Sequence, residues 1–195
     1  MWYNVRVPFW NNRSKTENAE MKEQDIERLM DEYRSNVKAL FDQKSPDFAN
    51  NSSSRHASIL IEEMILHAQH SFVAFAGRMN PIVWNGRVMA ALADAVSRGV
   101  QVKLVVENEC DPIANGTMPA SIQRFVRRLQ PQLRDSIIKA EVSHCASGDG
   151  ESLRIETDPS QKSAVFAANN PEVAAKVVGI VDNLYNLGVA FNGAA

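Results

Sequence analysis

Apolar and polar positions follow two different periods along residues 56–188. In some segments the apolar residues recur three and four positions apart, which is typical of a helix with one buried face. Between them lie short, continuous apolar runs rich in β-branched and aromatic residues, which are typical of buried strands. The predicted helices cover 56–70, 85–99, 119–133 and 169–188, and the predicted strands cover 71–77, 100–107, 136–143, 152–157 and 163–168.

This alternation of helix and buried strand predicts an α/β fold. We expect a mixed, largely parallel sheet with helices on both faces, because strands joined through helices usually lie parallel. The Gly-Asp-Gly sequence at 148–150 predicts a hairpin turn between two of the later strands.

Two further elements precede this domain. Alternating apolar residues predict a strand within 1–19, and apolar residues spaced by four and three predict a helix over 20–42 with a narrow apolar seam. That seam fits either packing on the chain's own core or contact with a protein partner or a second copy, as in a homodimer. Pro, Asp, Asn and Ser predict a linker over 43–55. We therefore expect an N-terminal appendage over 1–42 and an α/β domain over 56–195.

Composition narrows the partners and the cellular setting. The 195 residues carry a formal net charge of −2, which gives no overall attraction to nucleic acid or to a membrane. No apolar run approaches the roughly 20 residues of a membrane span, and the N-terminus lacks the charged start and apolar block of a signal peptide. The two cysteines, Cys110 and Cys145, imply no disulfide framework. We expect a cytoplasmic protein with no membrane contact and no cofactor, since neither a Walker loop nor G-x-G-x-x-G occurs.

Several phrases, in this order, resemble one half of a phospholipase D-like domain. The stretch "ILIEEMILHAQHSFVAFAG" precedes "MAALADAVSRGVQVKLVVE", and Ala95 to Val105 match the A-x-x-R-G-V-x-V-x-L-V phrase typical of that family. The segment 169–188 is similar to the closing helix of the family. The resemblance covers residues 56 to 188 and implies a single phospholipase D-like half-domain.

The chemistry of that family rests on the motif H-x-K-x-x-x-x-D. Its histidine attacks phosphorus, its lysine neutralises phosphate oxygens, and its acidic residue positions the histidine. With His144 in the first position, Ala146 stands where the lysine belongs and Glu151 where the aspartate belongs. The Gly-Ser-x-Asn phrase of the family is absent beyond it. The resemblance thus implies His144 and Glu151 as catalytic candidates within a degenerate motif.

The missing lysine separates two hypotheses. Phosphoryl transfer depends on positioning and charge, and one preorganised electrostatic donor typically contributes about 10²–10³ in rate. The favoured hypothesis is a non-catalytic phospholipase D-like module used for binding or assembly, with nucleic acid or a protein as partner. The alternative is a phosphodiesterase or nuclease that acts through His144 as a dimer, with Lys162, Arg154 or Arg78 replacing the lysine. A regulatory subunit of a defence or nucleic-acid-processing system is a third hypothesis.

The loop after the first predicted strand of the domain offers a ligand site. Ligands of open α/β sheets gather at the carboxyl ends of the strands, and this loop supplies cations, an amide and an aromatic face suited to a phosphate or a base. An ordered surface loop is the alternative interpretation. The predicted phosphate- or ligand-binding residues are Arg78, Asn80, Trp84, Arg87, Arg154 and Lys162.

Arginines on the third predicted helix of the domain form the densest basic cluster. Arg124, Arg127 and Arg128 are predicted to lie on its polar side, as a basic patch for phosphates or an acidic partner. A solvated helix face is the alternative.

Three acids follow the second predicted strand of the domain. Glu107, Glu109 and Asp111 are the residue types that bind a hard metal ion. We expect them to be solvated, and we predict no metal site.

Overall fold

The structure, a computed structural model, describes residues 23–158, 160 and 163–191. The helices are α1 (Glu23–Asp42), α2 (Ser54–His67), α3 (Gly86–Ser97), α4 (Asp111–Ala114), α5 (Ala120–Gln123), α6 (Pro131–Lys139) and α7 (Pro171–Leu187). The strands are β1 (Ala49–Asn51), β2 (Ser71–Ala76), β3 (Gln101–Val106), β4 (Val126–Arg128), β5 (Cys145–Gly148), β6 (Ser152–Asp158), β7 (Ser163–Ala167) and β8 (Val189–Ala190).

The described strands form one sheet in the order β1-β7-β6-β5-β2-β3-β4-β8. The mixed α/β fold is confirmed, with helices on both faces. Parallel pairing is confined to β2–β3 and β3–β4, and the other neighbours pair antiparallel. The parallel share is smaller than expected, in part because β5, β6 and β7 are joined by only three and four residues, too few for a helical crossover.

The predicted helix over 119–133 is wrong, since the structure divides it into α5, β4 and the start of α6. Pro131 has no backbone N–H and cannot lie inside a helix, so it begins α6 instead. Ile122, Val126 and Leu129 are buried in the observed arrangement, as they would be in the predicted helix. Their apolar character therefore does not distinguish one long helix from the observed short elements.

The predicted strand over 136–143 is also wrong. Residues 136–139 end α6, and the strand that pairs with β2 is β5, from Cys145 to Gly148. β5 consists of the small residues Cys, Ala, Ser and Gly, all of them buried. Its position in the middle of the sheet outweighs its weak intrinsic strand propensity.

The two faces of the sheet have separate cores. On one face α2 and α3 cover a cluster that includes Leu60, Met64, Phe72 and Leu104, and α1 packs outside α2. On the other face α7 covers a cluster that includes Phe75, Leu153 and Val181. The central strands are thus buried from both sides, which explains their continuous apolar runs.

Residues near the N-terminus join the same sheet and core. The segment 43–55, predicted as a linker, contains β1, which pairs antiparallel with β7. The apolar seam of α1 packs on the chain's own core, with Val37 buried and Tyr33 half-buried. A separate appendage over 1–42 stays a prediction, and the strand predicted within 1–19 lies outside the described residues. Among the helices that are described, none combines the length and the apolar character needed to cross a membrane.

Candidate functional site

His144 lies directly before β5, at the end of the sheet where the parallel strands β2 and β3 terminate. β6 runs antiparallel to β5, and the backbone N–H of Glu156 donates to the carbonyl of His144 at 2.9 Å. Glu107 follows β3 on the other side. The strand order therefore brings an imidazole and two carboxylates from three separate segments to one place.

Each ring nitrogen of His144 contacts a carboxylate. Nδ1 lies 2.7 Å from Oε2 of Glu156, and Nε2 lies 2.8 Å from Oε1 of Glu107. Carboxylates only accept hydrogen bonds, so both contacts are satisfied when both ring nitrogens carry a proton. This geometry is that of an imidazolium held between two carboxylates.

The pKa values agree with that charge state. Burial lowers the pKa of His144, but the hydrogen bonds and charges of Glu156 and Glu107 outweigh it and raise the pKa above its ordinary value. The pKa of Glu156 is lowered, chiefly by the hydrogen bond from His144 and against the effect of burial. The site therefore favours His144 charged and Glu156 ionised near neutral pH.

Gly77 and Phe75 fix the position of the ring. The edge of the imidazole meets the Phe75 ring at a centroid distance of 5.3 Å. A Cβ on Gly77 would lie 3.1 Å from Cε1 and 3.3 Å from Nε2 of His144. Glycine at this position leaves the space that the ring occupies.

A buried cation lies beside this group. Arg154 is opposite Ala146 in the β5–β6 register, and it shares a sheet face with Glu156, two residues further along. The residue is 8 % exposed, and its Nη2 is 4.0 Å from Oε1 of Glu156. Its Nε is buried and has no hydrogen-bond partner among the described residues. Burial lowers the pKa of Arg154, and the charge of Glu156 opposes this.

Arg154 lies opposite the position where the sequence resemblance predicted a lysine. The resemblance aligns Ala146 with that lysine, and the residue opposite Ala146 on the next strand is a cation. The sheet thus carries positive charge at that level, on β6 instead of β5. Because β5 and β6 pair as a hairpin, Arg154 lies on the same side of the sheet as His144 although it belongs to the neighbouring strand.

A cavity of about 290 Å³ opens beside these groups. Burial raises the pKa of the Cys145 thiol on its wall to about 12, against the effect of Arg154, so this thiol is neutral at pH 7. The cavity brings together five predicted site residues, namely Arg78, Asn80, Trp84, His144 and Arg154.

Other predicted residues lie elsewhere. Glu151 is in the turn at the far end of β5 and β6, about 13 Å of strand from His144, so the acid beside His144 is Glu156 and not Glu151. Arg87 is outside the cavity and pairs with Glu62 at 3.1 Å. Lys162 lies outside the described residues.

Arg78 is largely committed to the acidic loop after β3. Its side chain is 64 % exposed and pairs with Glu109 at 2.7 Å and Asp111 at 2.9 Å. Each of the three acids of this loop therefore contacts a cationic side chain. Glu107 contacts His144, and Glu109 and Asp111 contact Arg78. Within the described residues, no group of three or more His, Cys, Asp or Glu side chains is arranged to hold a metal ion.

The predicted basic patch is not on a helix face. Arg124 caps α5, and Arg127 and Arg128 lie in β4. Neighbouring residues of a strand point to opposite faces, so Arg127 and Arg128 flank the sheet from two sides. The three arginines therefore do not share a helix face, and a phosphate- or partner-binding role for them stays a prediction.

Sequence patterns did not place Glu107, Glu156 or Gly77 beside His144. The position of Glu156 was predictable, because a hairpin that pairs residues 148 and 152 also brings residues 144 and 156 opposite each other. Glu107 and Gly77 follow strands that are distant from His144 in sequence. Their contacts with it depend on the strand order, which local patterns do not contain.

Comparison with known proteins gives a result at the level of structure. No protein-family model matches the chain, and no curated protein sequence matches it. The archaeal chromatin protein TrmBL2, whose structure shows a novel mode of DNA binding, superposes with a TM-score of 0.52 at 11% identity, over 86% of this chain and 64% of that one.

Two further solved structures are similar. NucT from Helicobacter pylori superposes with a TM-score of 0.50 at 12% identity, over 74% of this chain and 100% of its own. Nuc from Salmonella typhimurium, a phospholipase D family member, superposes with a TM-score of 0.47 at 18% identity, over 74% of this chain and 99% of its own. The chain therefore shares its α/β fold with TrmBL2 and NucT over most of its length.

Proposed function

We propose that this chain is a non-catalytic phospholipase D-like module that binds an oxyanion, such as a phosphate group, in the cavity beside His144 and Arg154. The observation that carries the proposal is the pairing of both His144 ring nitrogens with carboxylates, at 2.7 and 2.8 Å. TrmBL2, a chromatin protein of similar fold, supports a binding role for this architecture.

The two carboxylates oppose nucleophilic attack. A histidine attacks phosphorus through the lone pair of an unprotonated nitrogen, and the contact with Glu107 favours a proton on Nε2. The carboxylate of Glu107 also occupies the space in front of Nε2, where it would repel a phosphate. Attack requires both the loss of that proton and the displacement of Glu107.

Arg154 supports binding. Its guanidinium lies on the cavity wall, and its Nε has no partner in the part of the chain that the structure describes. A buried, unsatisfied donor costs free energy, and an oxyanion that accepts its hydrogen bond removes that cost. Charge-assisted hydrogen bonds of this kind are stronger than neutral ones.

The second candidate is a phosphodiesterase that acts through His144 in a dimer. Arg154 favours this candidate, because it places a cation on the strand beside the missing lysine. It requires Glu107 to leave Nε2 when substrate binds, and a second copy to complete the site.

Paired cleavage and binding measurements test the proposal. Purified full-length chain is incubated with labelled single- and double-stranded DNA and RNA, with and without chelator, and its melting temperature is recorded with inorganic phosphate or tungstate. We expect no cleavage, and an oxyanion-dependent rise in melting temperature, because a ligand that binds only the folded state stabilises it.

Variants identify the residues responsible. Arg154→Met removes the rise in melting temperature and Arg154→Lys retains part of it, whereas Arg87→Met, an arginine outside the cavity, leaves it unchanged. Cleavage by the native chain that disappears in His144→Ala would support the second candidate and overturn the first.

A further inference from the structure

Three arginines near β4 lie on aromatic rings instead of beside carboxylates. The guanidinium carbon of Arg124 is 4.7 Å from the centroid of Phe125, that of Arg127 is 5.0 Å from Tyr185, and that of Arg128 is 5.9 Å from Phe191. These distances are within the range of cation–π contacts. In the described part of the chain, none of the three has an ion pair with an acidic side chain. Their charges are therefore held in place by rings, and no acidic side chain of the described residues neutralises them.

The same arginines surround one edge of the sheet. β4 pairs with the two-residue strand β8, whose residues Val189 and Ala190 are exposed. Phe125 and Phe191 pack on the core beneath α2 and α3, and Tyr185 packs on the core beneath α7. Positive charge consequently lies on both faces of this edge. We call Arg124, Arg127, Arg128 and Arg134 the arginine ridge.

Arg128 and Arg134 also line a depression of about 260 Å³ beside Asn108 and Gln130. Arg134 pairs with the neighbouring Asp135 at 3.1 Å, and that carboxylate is 60 % exposed. An exposed pair of this kind is weak and leaves the remaining guanidinium donors available. Two guanidinium groups and two side-chain amides are the donors that proteins use to contact phosphate oxygens.

The outward surface of the ridge is charged, because Arg124, Arg127 and Arg128 lie over the aromatic rings beneath them. Protein–protein interfaces have an apolar centre that is depleted of charge, in which arginine occurs together with aromatic residues and methionine. Nucleic-acid interfaces are strongly positive, and they bind the backbone through arginines and amides. The ridge fits the second description.

We propose that the arginine ridge binds the phosphate backbone of nucleic acid without reading its sequence. The depression and His144 lie at the same end of the strands. They are three strands apart, which corresponds to about 14 Å at the usual strand spacing. One strand of B-form DNA carries a phosphate about every 3.4 Å of helix axis, so about four nucleotides of a duplex aligned with this direction cover the distance. The ridge does not depend on an anion in the Arg154 cavity, and the two proposals fail separately.

Fluorescence anisotropy with labelled 20-nucleotide single-stranded and duplex DNA, between 50 and 300 mM NaCl, tests the ridge. The variant Arg124→Gln with Arg128→Gln changes two exposed residues. We expect it to bind roughly tenfold more weakly than the native chain, and the slope of log Kd against log salt to fall by about two, because each lost phosphate contact removes about 0.9 from that slope.

Matched variants make the result specific. Arg28→Gln with Lys38→Gln removes the same formal charge from exposed positions on α1 and leaves the binding unchanged. Arg124→Lys with Arg128→Lys keeps the charge and most of the salt dependence. Three outcomes would overturn the proposal: no binding by the native chain at 50 mM NaCl, equal binding by the glutamine variant, or preference for labelled poly-glutamate over DNA. The last outcome would assign the ridge to an acidic protein.

Discussion

His144 differs from a nucleophilic histidine in what surrounds its two ring nitrogens. Such a residue needs one nitrogen protonated toward a positioning acid and the other free to attack. Here Glu156 provides the first contact and Glu107 occupies the second position. The side chain that the sequence resemblance aligned with the motif histidine is therefore held in a state suited to an ion pair.

Replacement of Gly77 by alanine tests how tightly this ring is held. A methyl group there lies 3.1 Å from Cε1 of His144, so the ring must move by a few tenths of an ångström. We expect its carboxylate contacts to weaken and the pKa of His144 to fall toward its ordinary value. Gly86→Ala, where a Cβ meets nothing within 4 Å, is the control. An unchanged His144 titration in Gly77→Ala would show that the ring does not depend on this space.

The sequence identifies some of these residues and not others. His144 as a candidate, and the missing lysine at residue 146, are what the resemblance to the phospholipase D-like motif implies. Arg154 was named as a replacement cation, and the register confirms only that it lies opposite residue 146. Glu107 could not be assigned to His144, because that contact joins the ends of β3 and β5, which meet only through the strand between them.

At the scale of elements, α1 is attached to α2 by charge as well as by apolar packing. Arg34 donates to Glu63 at 2.8 Å and to Glu62 at 2.9 Å, and its side chain is 15 % exposed. Both glutamates are buried. Patterns of apolar residues predicted α1 correctly, but not this contact, since charged positions on a helix normally face water.

Removal of this cation leaves two buried carboxylates with less compensation. We expect Arg34→Met to lower the free energy of unfolding by about 3 kcal/mol, measured by urea denaturation at pH 7. Arg28→Met, on the exposed side of the same helix, serves as the control and changes stability by no more than about 0.5 kcal/mol. A small effect of Arg34→Met would mean that Arg87, which also contacts Glu62, compensates for the loss.

For the molecule as a whole, charge is distributed unevenly despite a formal net charge of −2. The site at His144 balances Glu107 and Glu156 against an imidazolium and Arg154. Within the described residues, Arg124, Arg127 and Arg128 of the arginine ridge lie on aromatic rings and have no acidic partner, whereas Arg134 pairs with Asp135. A net charge computed from composition gave no support to a nucleic-acid partner, because it averages over surfaces of opposite character.

The fold was predictable in the segments where apolar residues recur with a clear helix or strand period, as in α2, β2, α3, β3 and α7. Prediction failed between residues 119 and 143, where short elements follow one another and β4 has only three residues. The position of such elements is decided by packing in the finished sheet, which no local pattern contains.

The charge state of His144 also sets a pH dependence of stability. Folding raises the pKa of this group above 6.5, so its contribution to the free energy of unfolding is complete below that pH. The contribution is lost as the pH rises through the pKa of the folded state.

The most direct test of a clamped His144 is an NMR titration of its imidazole nitrogens in the native chain, with Glu107→Gln and Glu156→Gln for comparison. We expect both nitrogens to be protonated at neutral pH, a midpoint above 6.5, and a lower midpoint in each variant. A neutral ring with an unprotonated Nε2 at pH 7 would contradict the account, because that nitrogen would then be available to attack phosphorus.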